Sequence, residues 1–296
     1  MYAKAAIFVA LAGCSLSYLA IFVASLRRLN FRKQPPSALH LATGFVTNFF
    51  DTLGIGSFAT TTAIFKFKRM IADELYPGTL NVGHTFPTIF QAFIYISAIE
   101  VDATTLVLLI ASAVLGAWFG AGLVSRLSRR AVQIGMGGAL LAAAAAMLMR
   151  QLDWFPAGGT ALALNGYSLV IGIVGNFMFG AISTLGIGFY APCMTMVSLL
   201  GMNPAAAFPI MMGSSAFLMP VASARFVRSA VYSVPVAVGL AVGGMLGVPL
   251  AAFIVKSLPL TALRWVVIVA VLYAAVLMIR SASHKPTSEM NTLDES

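Results

Sequence analysis

Few side chains in this sequence can do chemistry, and most of them gather around one string. Asp51 directly precedes Thr-Leu-Gly-Ile-Gly at 52–56, with Asn48 one helical turn before Thr52 and Ser57 just after the string. The same five residues recur at 184–188, preceded by Ser183 where the first copy has the aspartate. Asn81 and His84 stand three residues apart in an apolar stretch, so they share one face of a helix. Ser214 and Ser215 are the polar pair at the matching depth of the second half. No zinc-protease signature, Walker-type phosphate loop or convergent Ser-His-Asp set is legible, so an enzyme is not expected. Cys14 and Cys193 lie in apolar segments as small hydrophobes. No metal-ligand spacing accompanies them, and neither a metal nor another cofactor is expected.

The chemistry left is that of backbone amides and one carboxylate. Gly54, Gly56, Gly186 and Gly188 give the chain the freedom for a sharp turn. A half-helix starting after each turn, near Ser57 and near Tyr190, begins with N–H groups that have no intrahelical partner. The helix dipole adds about half a positive charge there. Two such ends facing each other make an anion site that needs no buried Lys or Arg. Thr52 and Thr184 open the two turns and, with the turn glycines Gly54, Gly56, Gly186 and Gly188, join Asn48, Asn81, Ser57, Ser214 and Ser215 as candidate substrate contacts.

Asp51 has two readings: a carboxylate that carries a coupled proton, or a cap that holds its own turn by local hydrogen bonds. His84 is either a proton relay or anion ligand, or a hydrogen-bonded packing histidine. The serine pair either lines a cavity or bonds back to its own helix.

The elements that must position these groups are membrane helices. Of 296 residues 60% are apolar and only 9% charged, against about 25% charged in a soluble domain. The net charge of +9 is spread in short clusters between apolar runs, as membrane orientation demands, and nucleic acid is not an expected partner. Runs long enough to cross a bilayer lie at about 5–26, 78–99, 103–125, 131–149, 204–225, 230–255 and 262–280. The stretches 38–67 and 164–200 are too long for one crossing and too short for two, and each holds one copy of the string. Spacings such as Gly116–Gly120, Gly239–Gly243 and Gly243–Gly247 suit close helix packing.

The two strings belong to a longer repeat. Pro77 is matched by Pro209 at the offset of the strings, and VLGAWFGAGLVSRLS (114–128) aligns with MLGVPLAAFIVKSLP (245–259) one residue off it. If each string-bearing stretch crosses the membrane, Lys and Arg divide evenly between the two faces. If each is a re-entrant hairpin, one face collects fourteen and the other four, namely Lys4, Arg150, Lys256 and Arg264. The second division obeys the positive-inside rule. It makes the halves inverted repeats, each a broken-helix hairpin plus three transmembrane helices, in an all-α integral membrane protein. Inverted repeats with interrupted helices mark secondary transporters, whose sites lie at the repeat interface. The parts are then an N-terminal transmembrane helix and basic loop (1–37), repeat 1 (38–149), an outer linker (150–163), repeat 2 (164–280) and a disordered polar tail (281–296).

GFVTNFFDTLGIGSFATTTAIF (44–65), GAISTLGIGFYAPCMTMVSLLG (180–201) and LGAWFGAGLVSRLSRRAV (115–132) resemble the sulfite exporter TauE/SafE family of membrane permeases, over about 38–280. The resemblance implies movement of a small anion such as sulfite, a sulfonate or a related organosulfur compound. It departs from the common form, which runs three or four glycines at the tip: Ser57 and Phe189 replace the last of them, followed by Phe58 and Tyr190. Expected partners are that small anionic substrate, the lipid bilayer and, by the resemblance, a homodimer mate. The expected location is the inner (plasma) membrane with a cytoplasmic C-terminus. The alternative is an anion-selective channel, or a permease for a non-sulfur anion or carboxylate, since a hairpin pair can also line a pore.

Overall fold

The computed structural model describes residues 2–28, 35–154, 158–186, 188–254 and 260–283. The expected polar tail beyond 283 lies outside the described residues, as do Arg32, Lys33 and Lys256. Among the described residues the chain is helical, and pairing is limited to one isolated bridge between Ala161 and Met202.

Helix α1 spans Tyr2–Arg28 and ends on Arg27 and Arg28, cations placed against the negative end of its dipole. Helix α2, Ala38–Thr52, begins with a reciprocal cap. Ser37 Oγ accepts from the His40 amide at 3.3 Å, and the Ser37 amide donates to His40 Nδ1 at 3.2 Å. The expected break follows. Gly54 and Gly56 take φ of +80° and +91°, which a side chain resists, and α3 (Ser57–Lys68) starts at once. Its last residues, Lys66 and Lys68, lie before a left-handed Arg69 at φ +50°. Helices α4 (Tyr76–Ala98), α5 (Ala103–Val124) and α6 (Arg129–Gln151) complete the first half.

The second half repeats that order. Helix α7 (Gly166–Ser183) leads to a break in which Gly186 has φ +94°, and α8 (Tyr190–Leu199) follows. Then come α9 (Ala207–Ser229), α10 (Val234–Ile254) and α11 (Leu260–Ser283).

Among the described residues six helices are long and apolar enough to cross a membrane: α1, α5, α6, α7, α9 and α10. The chain is a multi-pass membrane protein. Three details differ from expectation, one being that α11, expected as a span at 262–280, counts among the described residues only as a shorter apolar helix at Val271–Ser283. Helix α4 is absent from that set, because its buried face carries Thr79, Asn81, His84, Thr85, Thr88 and Gln91. Helix α7, expected only as a hairpin arm, is itself long enough at 18 residues.

Packing exchanges elements between the halves. Helix α2 lies along α10 and α7 along α5, while α4 packs on α9 and α6 on α11. Small residues set the first two contacts. A Cβ on Gly116 would lie 1.9 Å from the Phe177 carbonyl oxygen, and one on Gly243 would lie 2.0 Å from that of Leu41. Backbones therefore touch, which suits helices that have no hydrophobic drive to associate within lipid.

The two hairpins open toward opposite ends of the bundle. At one end Lys66 of α3 donates to Asp73 and to Ser281 of α11. Nearby the Ser233 amide donates to Thr79 at the start of α4, and Ser25 of α1 meets Tyr232. At the other end the turn after α8 pairs with the segment before α7, through Gly159 to Met202 and Asn203 to Ala161. The Asp102 amide, just before α5, donates to Leu162 there.

Candidate functional site

Between the hairpins lies a cavity of about 600 Å³. Gly54, Gly56 and Ser57 reach it from the first hairpin, and Ser183, Gly188, Phe189 and Tyr190 from the second. Helix α6 supplies Ala143, Ala146, Met147 and Arg150, and α9 supplies Met211, Ser215 and Met219. Both halves of the sequence thus build one site.

Asp51 is the pivot of its polar part. The side chain is 1% exposed. Its Oδ1 accepts from the Ser57 amide at 2.6 Å, so the first N–H of α3 is already taken by a carboxylate from the preceding helix. This changes the expected anion site. The positive end of α3 is complemented from within the chain, whereas among the described residues the start of α8 has no side-chain cap. In the second hairpin Ser183 replaces the aspartate and donates back to the Gly180 carbonyl at 2.8 Å. The other oxygen of Asp51 accepts from the Tyr190 hydroxyl at 3.3 Å, with Gln91 Oε1 an alternative acceptor at 3.2 Å. Tyr190 starts α8, so this contact ties one hairpin to the other.

The tips overlap instead of meeting point to point. The Gly54 carbonyl accepts from Arg150 Nη1 at 3.3 Å, near the C-terminal end of α6. A Cβ on Gly186 would lie 2.8 Å from Met136 Cε, about a third of the way along that helix from its start. Fourteen residues of α6 separate Met136 from Arg150, roughly 21 Å of helix. What comes together is the stretch just beyond each tip.

The remaining predicted residues, Ser215 apart, do not line the cavity, and most of them bond the hairpin arms. Thr52 donates to the Asn48 carbonyl at 2.8 Å and accepts from Gln91 Nε2 at 3.0 Å. Its own carbonyl accepts from the Tyr95 hydroxyl at 2.6 Å. Asn48 Nδ2 donates to the Gly44 carbonyl at 2.8 Å, which turns Oδ1 toward His84 Nδ1 at 3.0 Å. That assigns the proton to Nδ1, and Nε2 then accepts from Thr61 at 3.0 Å. His84 therefore bridges both arms of the first hairpin.

On the second hairpin, Asn81 Nδ2 reaches the Thr184 carbonyl at 3.4 Å, and Thr184 Oγ1 donates to the Ala181 carbonyl at 2.7 Å. The serine pair divides. Ser214 accepts from Asn176 Nδ2 of α7 at 3.2 Å, whereas Ser215 lines the cavity.

Sequence reading missed Tyr190, Gln91, Tyr95 and Arg150 as site residues. Gln91 had a signal: with Asn81, His84 and Thr88 it completes a polar stripe at helical spacing along α4. Arg150 had none, since an arginine at a helix end reads as a topology anchor.

A bundle of helices long and apolar enough to cross a membrane, with a cavity between two broken-helix hairpins, defines a multi-pass membrane protein as the class. Comparison with known families names the kind. Residues 1–147, just under half of the 296, match the model of the sulfite exporter TauE/SafE family. This is the family that the hairpin motifs resemble. Comparison with curated proteins gives no match, and neither does comparison with solved structures.

Proposed function

We propose that the protein is a secondary transporter for a small anion, a sulfite, sulfonate or related organosulfur anion, held between the two hairpins. The observation that carries this reading is the shared cavity, lined by residues beyond both glycine turns and bridged by Tyr190 and Asp51. Its halves act as inverted repeats. The reciprocal packing of α2 on α10 and of α7 on α5 supports this, as do hairpins that open toward opposite ends. Repeats of this kind expose a fixed site alternately to the two sides by rocking one half against the other.

Within the site Asp51 carries the coupled proton. It is the acidic group lining the cavity, and both of its oxygens accept from donors, one on each hairpin. Protonation removes the charge that strengthens the Tyr190 contact and gives Asp51 a hydrogen to donate, so the tie between the hairpins weakens or reverses. His84 holds the hairpin arms while Asp51 cycles. The positively charged loops face the cytoplasm, in the inner membrane, together with the C-terminus.

The test is flux in proteoliposomes. Accumulation of radiolabelled sulfite or taurine against a gradient, dissipated by a protonophore, is the expected result. An ohmic current carried by the same anion, with no accumulation, assigns a channel instead.

A further inference from the structure

The size and lining of the cavity point past the smallest anions. A four-atom oxyanion such as sulfite fills on the order of two water volumes, ~30 Å³ each, whereas the cavity encloses about 600 Å³. Its charged groups, Asp51 and Arg150, lie at the first tip. Away from it the wall is mainly apolar, with Met147 of α6, Phe179 of α7, Met194 of α8, and Met211, Leu218 and Met219 of α9, and its polar groups are the uncharged hydroxyls of Ser183, Thr195 and Ser215. Methionines shape themselves to an irregular apolar guest. The apolar part also reaches the outer surface of the bundle, since Ile171 and Leu199 line it while 54% and 69% exposed. An inorganic anion would make no use of these apolar walls.

The cationic side is equally specific. The first amide of α3 is occupied by Asp51, so an incoming head group at that tip meets the Arg150 guanidinium, which lies on the Gly54 carbonyl. A guanidinium presents a planar fork that matches the oxygens of an oxyanion.

We infer that the substrate is an amphipathic organic anion, with an oxyanion head at Arg150 and an apolar body of several carbons among the methionines. This rests on the anion-transporter reading above and narrows it. Calorimetric titration of the purified protein in a non-ionic detergent, with sulfite and with ethane-, butane- and hexanesulfonate, tests it. The dissociation constant is expected to fall roughly threefold to fourfold with each added methylene. Arg150→Gln is expected to weaken every sulfonate about tenfold or more. Ala146→Phe, which fills the apolar part, is expected to abolish the dependence on chain length. Sulfite binding as tightly as hexanesulfonate overturns the inference and leaves anion transport standing. Binding of none of the four anions overturns the anion reading itself. A chain-length gain that persists in both variants reflects partition into detergent, and it too overturns the inference.

Discussion

The Tyr190 hydroxyl lies 3.3 Å from Asp51 Oδ2, joining the first residue of α8 to the last turn of α2. Asp51 holds its own hairpin with one oxygen and the other hairpin with the second. A single carboxylate is therefore hydrogen-bonded to both halves.

Asp51→Asn separates the coupling role from the capping role. Asparagine keeps an acceptor for the Ser57 amide and can meet Tyr190 through its amide nitrogen, so the protein is expected to fold and bind its anion. Coupled proton movement is expected to fall to background. A pH-sensitive dye inside proteoliposomes reads it, and substrate-driven pH change at the wild-type rate would reduce Asp51 to a structural cap. Tyr190→Phe is expected to slow transport while costing about 1 kcal/mol of stability.

The tip glycines and the packing glycines should fail differently. A Cβ at Gly56 meets nothing within 4 Å, so Gly56→Val suffers only backbone strain at φ +91°, about 1–3 kcal/mol. Expression is expected to survive and transport to be lost. Gly44→Val instead drives its side chain into the Leu240 backbone, since a Cβ there would lie 2.5 Å from the carbonyl oxygen. That variant is expected to abolish folded protein. Size-exclusion profiles set beside uptake rates distinguish the two failures. Equal expression of both variants would contradict this account.

Lys66 and Asp73 form a half-buried ion pair at 2.8 Å, with Gln133 donating to the same carboxylate at 2.7 Å. Removing one partner leaves the other charge poorly solvated. Lys66→Met is therefore expected to cost about 2 kcal/mol, less than a fully buried pair would, and to lower the melting temperature by roughly 5 °C. The double variant Lys66→Met with Asp73→Leu is expected to recover part of that loss. A melt of each in detergent decides it.

Topology is open to cysteine labelling. Ser37→Cys precedes α2 and Glu74→Cys follows α3, so both are expected to react from the same face of the membrane. Glu100→Cys and Tyr167→Cys, at the opposite end, are expected to react from the other. Labelling of positions 37 and 74 from different faces would refute the hairpin and the inverted repeat together.

Composition and the repeated TLGIG string were enough to read a membrane bundle with two broken helices, because apolar length and glycine spacing are local properties. The helix boundaries follow: the stretch expected at 38–67 is α2 and α3, and that at 164–200 is α7 and α8. The polar face of α4 was legible in part, through Asn81 and His84, since residues three apart share a helix face whatever surrounds them.

What only the tertiary structure decided is which polar groups share one space. Asp51 and Tyr190 lie 139 residues apart, and Arg150 reaches Gly54 across 96. No local periodicity links such pairs. The sequence determined that two glycine turns would break two helices, because φ near +90° excludes side chains wherever the helix lies. It could not determine that Asp51 would satisfy the α3 amide, that the tips would pass each other, or that α10 and α5 would grip the hairpins. Those outcomes depend on how closely backbones approach across the bundle, and that distance is set by every packed neighbour at once.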